Sequence, residues 1–475
     1  MNAIILSAIW GVVMMFSGVF IQNKNIPKYL AIVGIVILFI GNALELDMFG
    51  FGQIFIHIDS NNMLKTSGYS LAFNAVLFLA TLIYFLLNAT DIEKVGEHKG
   101  EYFSLIFFVL CGASICTTYN TLLMLFLGIE IMSIPLYILT GSDKRNLKSN
   151  EAALKYFLMG AFSTGIMLMG IAFIFGANNN GSFYINNIQL AVAPLSAMFA
   201  TGLVFILIAL SFKVSAAPFH FWTPDVYDGA PTVFTSFMST IVKAAGFFAF
   251  VRLFENVFGK VQGQWQMLIV VITIATLIIG NLTAVFQQSV KRMLAYSSIA
   301  QAGFMMLAVF ALGPRAKEAL LLYAAAYCFA TIGLFAVLVK MKDYTIDGFN
   351  GLAKTQPVLA FCATIFLLSL TGIPLTAGFS AKFLMLVSVA ETNTKFWLVI
   401  VALIFAAISA YYYFRVIQAM YFKDADGEAV EANEITTFYK TVLVITVILI
   451  IAIGVYPEFV IGWMYHLPAE VAVAK

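Results

Sequence analysis

Ser211-Phe212-Lys213-Val214-Ser215-Ala216-Ala217-Pro218 closes an apolar run that begins near residue 195. Pro218 lacks a backbone donor and clashes with the turn before it, so a helix through this run breaks close to Lys213. A charge at bilayer depth costs about 2.5–3.5 kcal/mol on insertion scales. A break lowers that cost, because freed carbonyls and trapped water can support an ammonium that an intact helix could not. The same device recurs downstream, where Thr371-Gly372-Ile373-Pro374 and then Ala377-Gly378 interrupt a second apolar run a turn or two before Lys382. Matching interruptions in two halves of a chain point to inverted repeats and to an ion path at the midplane. The expected fold is an all-α polytopic membrane protein with about fourteen transmembrane helices. It contains two inverted five-helix repeats, and its seventh and twelfth helices are broken.

Composition supports that class. The 475 residues are 62% hydrophobic and 11% charged, against about 25% charged in an average soluble domain, and mean hydropathy is +0.95. A net charge of +2, with lysines and arginines spread over short loops, excludes nucleic acid as a partner. Cys111, Cys116, Cys328 and Cys362 lie inside apolar runs without a Cys-x-x-Cys pair or a nearby histidine, so they read as packing residues. No metal site or iron–sulfur cluster is expected. The N-terminal MNAIILSAIW lacks a basic leader and reads as a retained first span.

Windows long enough to cross about 30 Å of hydrocarbon fall near 3–20, 29–46, 70–88, 102–117, 121–140, 152–176, 195–217, 231–255, 265–287, 292–312, 317–340, 357–386, 396–421 and 438–464. They group into an N-terminal three-helix segment (1–100), a first repeat (101–256), a second repeat (257–422) and a C-terminal helix (423–475). No soluble domain is left over, so the activity resides in the membrane part or is borrowed from partners. With the N-terminus outside, inward loops hold fourteen lysines and arginines and the outer side six, which places both termini outside the cytoplasm.

Four charges then require explanation: Glu130, Lys213, Lys243 and Lys382. Intramembrane ionisable groups usually mark ion paths or proton relays. Glu130 lies about ten residues from either end of its span. Lys213 is its natural partner, and a change in their separation would alter the lysine's proton affinity. Lys243, in Thr240-Ile241-Val242-Lys243-Ala244-Ala245-Gly246, sits too deep to snorkel to the interface, and its small neighbours leave room for water. Lys382 is the second half's counterpart and the terminal station from which a proton leaves outward. His220, in Pro218-Phe219-His220-Phe221-Trp222, could bridge two lysines, since a neutral imidazole both donates and accepts. Lys155 reads as a modulator or as a residue snorkelling to the surface. Asp225 and Asp228, in a turn-forming string, read as structural acids that satisfy backbone groups. The 46 phenylalanines and 20 methionines fit lipid-facing and packing roles, and no glycine fingerprint for a nucleotide is present.

Three strings resemble the antiporter-like membrane subunits of proton-pumping NADH:quinone oxidoreductase, respiratory complex I, and specifically its N type. They are Phe212-Lys213 through Pro218-Phe219-His220-x-Trp222-Thr223-Pro224-Asp225-Val226-Tyr227-x-Gly229-Ala230-Pro231-Thr232, Lys291-Arg292-Met293-Leu294-Ala295-Tyr296-Ser297-Ser298-Ile299-Ala300, and Gly372-Ile373-Pro374-Leu375-Thr376-Ala377-Gly378-Phe379-x-x-Lys382-Phe383. The similarity covers about residues 100–425 and fits the chain in length. A lysine at 382 rather than a glutamate argues against the M type, and the lack of a long C-terminal lateral helix argues against the L type. The resemblance implies a translocase subunit without a redox site of its own, in which Glu130, Lys213, Lys243 and Lys382 form the proton path. Lys155 and His220 are implied as the accessory lysine and bridging histidine. It also implies NADH, FMN, iron–sulfur clusters and quinone in partner subunits, with none of them in this chain. The implied neighbours are the M-type subunit and the small subunits near the quinone module, in a bacterial cytoplasmic (inner) membrane. A subunit of a multi-subunit cation/proton antiporter is the competing reading, and Trp222-Thr223-Pro224-Asp225-Val226-Tyr227 argues against it. A passive scaffold is a third, which four buried charges disfavour.

Overall fold

In hydrocarbon a backbone this apolar finds its hydrogen bonds only within helices or a closed barrel. The computed structural model describes residues 1–20, 26–50, 52–54, 56, 59, 61–96, 98–178, 181–188, 196–392, 394–424 and 435–466, and it takes the helical route. Among the described residues there is no strand, only isolated bridges pairing Leu64 with Tyr119, Thr121 with Tyr184 and Ser289 with Thr345.

The first six helices are α1 (Asn2–Phe20), α2 (Ile26–Glu45), α3 (Gly68–Val95), α4 (Lys99–Thr118), α5 (Leu122–Thr140) and α6 (Leu147–Ala177). Polar caps set several starts: Ser67 forms a capping box with Ser70 ahead of α3, and Thr121 caps α5. Next come α7 (Ala197–Lys213), the short α8 (Trp222–Gly229), α9 (Thr232–Phe237), a π-helical turn over Met238–Val242 and α10 (Lys243–Leu253). α11 (Gln262–Val285), α12 (Val290–Ala311) and α13 (Gly313–Val339) follow. The chain ends with α14 (Leu352–Thr355), α15 (Pro357–Thr371), α16 (Ala377–Ala390), α17 (Trp397–Phe422), α18 (Thr437–Val455) and α19 (Glu458–Ile461).

Among the described residues eleven segments are long and apolar enough to cross a membrane, one of them running from Thr232 to Val285. That segment is two passes. The Phe254 and Trp265 rings meet at 4.8 Å, and the Trp265 indole donates to the Phe258 carbonyl at 2.9 Å. In a straight helix eleven residues would span about 16 Å, so the chain reverses between them. With α7 as one broken pass and α15 with α16 as another, the fourteen expected passes are accounted for.

Both expected breaks occur. α7 ends at Lys213, and Ser215 takes a left-handed φ of +64° before the cis Ala217–Pro218 bond. α15 ends at Thr371, Gly372 and Leu375 take φ of +91° and +73°, and α16 restarts at Ala377. The π turn at Met238–Val242 was not expected, because the segment contains neither proline nor glycine. It places an irregular turn directly before Lys243, the kind of local unwinding that often accompanies function.

The most enclosed helices are α12 and α13, whose apolar windows are 94% buried, whereas α1 is only 28% buried and faces outward. α11 and α12 pack backbone to backbone at Gly280, where a Cβ would stand 2.5 Å from the Ala300 nitrogen. The four cysteines are free and buried.

Candidate functional site

Each break hands a lysine to a particular set of acceptors. Lys213, the last residue of α7, donates to the Ser133 hydroxyl of α5 at 2.6 Å. Ser133 lies three residues beyond Glu130 and so on nearly the same helix face. The expected Glu130–Lys213 ion pair does not form, since no carboxylate oxygen lies within 4.0 Å of this ammonium among the described residues. Ser133 takes the contact instead, and the half-buried Glu130 acts on Lys213 through space.

Lys243 opens α10 and is 1% exposed. Its ammonium donates to the Ser298 carbonyl at 2.9 Å and to the Ser298 hydroxyl at 2.8 Å, with the Tyr227 ring 5.9 Å away. Lys382, in the second turn of α16, reaches back to the end of α15. It donates to the carbonyls of Leu370 at 2.8 Å and Thr371 at 2.9 Å, and lies 4.6 Å from the Phe304 ring centre. A hydrogen bond to a charged group contributes about 1.5–3 kcal/mol. Two of them offset the roughly 2.5–3.5 kcal/mol that intramembrane charge costs.

His220 is buried and its ring stacks on Phe221 at 4.6 Å. Among the described residues it hydrogen-bonds to no lysine and its Nδ1 has no partner, so the expected direct bridge is not made there. The hydroxyls of Ser211, Thr223, Ser236 and Thr331 are likewise buried without a partner among the described residues.

Lys155 lies on the outside of this row, paired with Glu151 at 2.8 Å and Asp225 at 2.9 Å. Asp225 also meets Arg292 at 3.3 Å, and Arg292 approaches Asp228 at 3.8 Å. The Lys155 ammonium bound to it holds the Asp225 carboxyl below the usual carboxylate range, with Arg292 adding to the effect. Asp225 is therefore not a turn-filling acid. It sits in the first turn of α8 and joins α6 to α12. Lys291 secures the next turn by donating to the carbonyls of Asp228 at 2.9 Å and Ala230 at 2.7 Å.

Sequence reasoning missed the acceptors. Gln301, one turn beyond Ser298, donates to the Leu370 carbonyl at 3.0 Å and to the Tyr413 hydroxyl at 3.2 Å, and accepts from the Tyr323 hydroxyl. Tyr413 also bonds Ser297 at 2.5 Å. The spacing of Ser297, Ser298 and Gln301 along one face of an apolar helix was the available signal. Among the described residues no group of three or more His, Cys, Asp or Glu side chains could hold a metal ion.

A family described as NADH:quinone oxidoreductase/Mrp antiporter, TM, matches residues 120–409, which include Lys155, Lys213, Lys243, Lys291 and Lys382. The chain belongs to this family. Among its relatives in the family is NADH-quinone oxidoreductase subunit N of Cytophaga hutchinsonii, 38% identical over 467 residues, covering 97% of this chain and 99% of the relative. The subunit of the same name from Flavobacterium psychrophilum is 37% identical over 471 residues, with coverage of 97% and 99%. Among solved structures, a chain of respiratory complex I from Thermus thermophilus superposes with a TM-score of 0.81 at 28% identity, covering 97% of this chain and 98% of that one. A chain of the Mrp complex from Dietzia reaches 0.85 at 17% identity, covering 98% and 96%, which establishes a shared fold alone.

Proposed function

We propose that this chain is a membrane-arm subunit of an NADH:quinone oxidoreductase that translocates protons, driven by quinone reduction elsewhere in the complex. The observation that carries this reading is the kind of acceptor each lysine has. Lys213, Lys243 and Lys382 are held by neutral oxygens. Lys340, by contrast, is locked to both oxygens of Asp91 at 2.7 Å. A lysine on neutral acceptors can give up its proton without stranding a buried carboxylate, so these three are suited to exchange and Lys340 to structure.

In this reading Glu130 tunes Lys213, Lys243 is the central station, and Lys382 is the station from which the proton leaves outward. His220 relays through water at its open nitrogen, and Lys155 modulates the path. The repeats span 101–256 and 257–422, flanked by an N-terminal segment (1–100) and a C-terminal helix (423–475). The N-terminus lies on the outer side of a bacterial inner membrane, and the C-terminus, assigned to the same side by the loop charges, falls outside the described residues. The M-type subunit and the small subunits near the quinone module are the neighbours. NADH, FMN, iron–sulfur clusters and quinone reside in partner subunits, and this chain has no redox site of its own. The names of the subunit N relatives support the assignment over the antiporter alternative.

The test is the purified complex in sealed vesicles. NADH with quinone should acidify the far side, and an imposed sodium gradient without NADH should move no protons. Sodium-driven proton movement with no response to NADH would overturn the reading in favour of the antiporter.

A further inference from the structure

One end of each repeat is built alike, down to single hydrogen bonds. In the first, Thr121 forms an isolated bridge with Tyr184: the Leu122 amide donates to the Phe183 carbonyl at 2.9 Å, and the Ile185 amide to the Asn120 carbonyl at 3.1 Å. In the second, Ser289 bridges to Thr345, with the Val290 amide on the Tyr344 carbonyl at 2.7 Å and the Ile346 amide on the Gln288 carbonyl at 2.9 Å. Thr121 and Ser289 also cap the helices that follow them, α5 and α12. Four residues before each of these two, a carbonyl receives an arginine from the last helix of its repeat. Arg252 of α10 donates to Thr117 at 2.8 Å, and Arg415 of α17 donates to Val285 at 2.7 Å. Their second nitrogens donate to the Lys65 carbonyl at 3.0 Å and to the Gln288 side-chain oxygen at 3.2 Å.

The carbonyl ends of α4 and α11 carry these contacts. The two helices are the fourth and ninth passes, an odd number apart, so they run in opposite directions and the two arginines sit at opposite faces of the membrane. With the N-terminus outside, Arg252 is at the outer face and Arg415 at the inner one. Orphan carbonyls and the negative end of a helix dipole favour a cation at such a place, which would account for a cap. The charge balance goes further. Among the described residues neither guanidinium has a carboxylate within 4.0 Å. The nearby acids, Glu255 and Asp347, are held instead by Lys317 at 2.9 Å and Lys423 at 3.1 Å. A guanidinium keeps its charge across the working pH range, and a fixed, uncancelled cation in a pore is an electrostatic barrier to protons. Arg252 lies nine residues, or about 14 Å, beyond Lys243 along α10.

We infer that Arg252 and Arg415 are paired charge barriers that seal the outer end of the first repeat and the inner end of the second against passive proton leak. The inference rests on the proton-translocation reading, in which the second repeat releases protons outward and the first is loaded from inside. Each repeat must then be closed at its other end.

The test follows the decay of an imposed pH gradient across sealed vesicles holding the assembled complex, without NADH, with potassium and valinomycin to compensate charge. Arg252→Gln and Arg415→Gln remove the charge and keep a donor; each is expected to speed the decay by about ten-fold per assembled complex and to lower the number of protons moved per NADH. Arg252→Lys and Arg415→Lys keep the charge and should hold the gradient as the wild type does, even where losing the fork lowers the melting temperature. Arg315→Ala is the control, an exposed arginine paired with Glu318 and Glu391, and should leave the decay unchanged. Wild-type decay in both glutamine variants would overturn the barriers, and a leak in only one would overturn their pairing. Equal leaks in the lysine and glutamine variants would also overturn them, because lost packing rather than lost charge would then be the cause. Wild-type and Lys243→Ala complexes given NADH in the same vesicles separate the two levels of the argument. If only the wild type pumps, gradient-tight glutamine variants remove the barriers alone; if both pump equally, the translocation reading falls.

Discussion

Gly378→Ala probes how closely the broken helix fixes Lys382. α16 begins at Ala377 against the end of α15, and the Gly378 amide donates to the Ser369 hydroxyl at 3.2 Å. A Cβ at 378 would overlap the Ser369 carbonyl oxygen and lie 2.7 Å from its carbonyl carbon. The obstruction is backbone, so no rotamer change relieves it, and α16 must move away by on the order of 1 Å. Lys382 rides on α16, and its acceptors, Leu370 and Thr371, follow directly on Ser369. Stretching bonds of 2.8 and 2.9 Å by that amount takes them out of hydrogen-bonding range. Losing two charge-assisted bonds costs about 3–6 kcal/mol, equivalent to at least a hundred-fold loss in the population of the productive arrangement. The assay is NADH-driven acidification by the assembled complex in vesicles, normalised to complex content on native gels. Gly165→Ala is the control, since nothing lies within 4 Å of a Cβ there. Wild-type pumping in Gly378→Ala would refute the claim that this contact positions Lys382.

Three further outcomes are expected. Ser298→Ala removes one of the two acceptors of Lys243 and should weaken its hold on the ammonium by about 1.5–3 kcal/mol; coupled turnover should fall at least ten-fold with assembly intact, and an unchanged rate would count against Ser298 as the anchor. Asp225→Asn should lower stability at neutral pH by up to about 1 kcal/mol, a figure kept small because the side chain is 42% exposed. Because the Asp225 carboxyl is depressed in the fold, its contribution is present above about pH 4 and lost as pH falls through the folded value. The stability gap in detergent should therefore close below pH ~4, and a gap constant to pH ~3 would contradict the assignment. Arg252→Lys should lower the melting temperature of the solubilised complex, because one ammonium cannot reproduce the forked contacts to the Thr117 carbonyl at 2.8 Å and the Lys65 carbonyl at 3.0 Å while lying over Tyr119. An equal melting temperature would show that the fork is dispensable.

The parts of the fold that follow from local chemistry were legible in the sequence. Pro218 and the Gly372–Pro374 string interrupt helices through their own backbone restrictions, so both breaks could be placed to within a turn. The π turn at Met238–Val242 could not, since it has no breaker residue. There Thr240 and Ser239 both donate to the Ser236 carbonyl, and the irregularity emerges only in the folded helix. The charged members of the row were visible because charge is rare in apolar runs. Their neutral acceptors were not: serine, glutamine and tyrosine are common in helices, and the Gln301–Tyr413 contact joins residues 112 apart. The Glu130–Lys213 pairing was expected from charge alone, and it gave way to Ser133 because an ammonium bonds whichever acceptor its helix face brings nearest.

The central claim is that protons move through this chain in step with redox chemistry in its partners. The most direct measurement uses the Lys243→Ala complex in sealed vesicles, recording NADH oxidation with quinone together with acidification of the far side. The account predicts a normally assembled complex in which oxidation and pumping both fall. Full pumping at an unchanged ratio of protons to NADH would contradict it and leave Lys243 a structural charge.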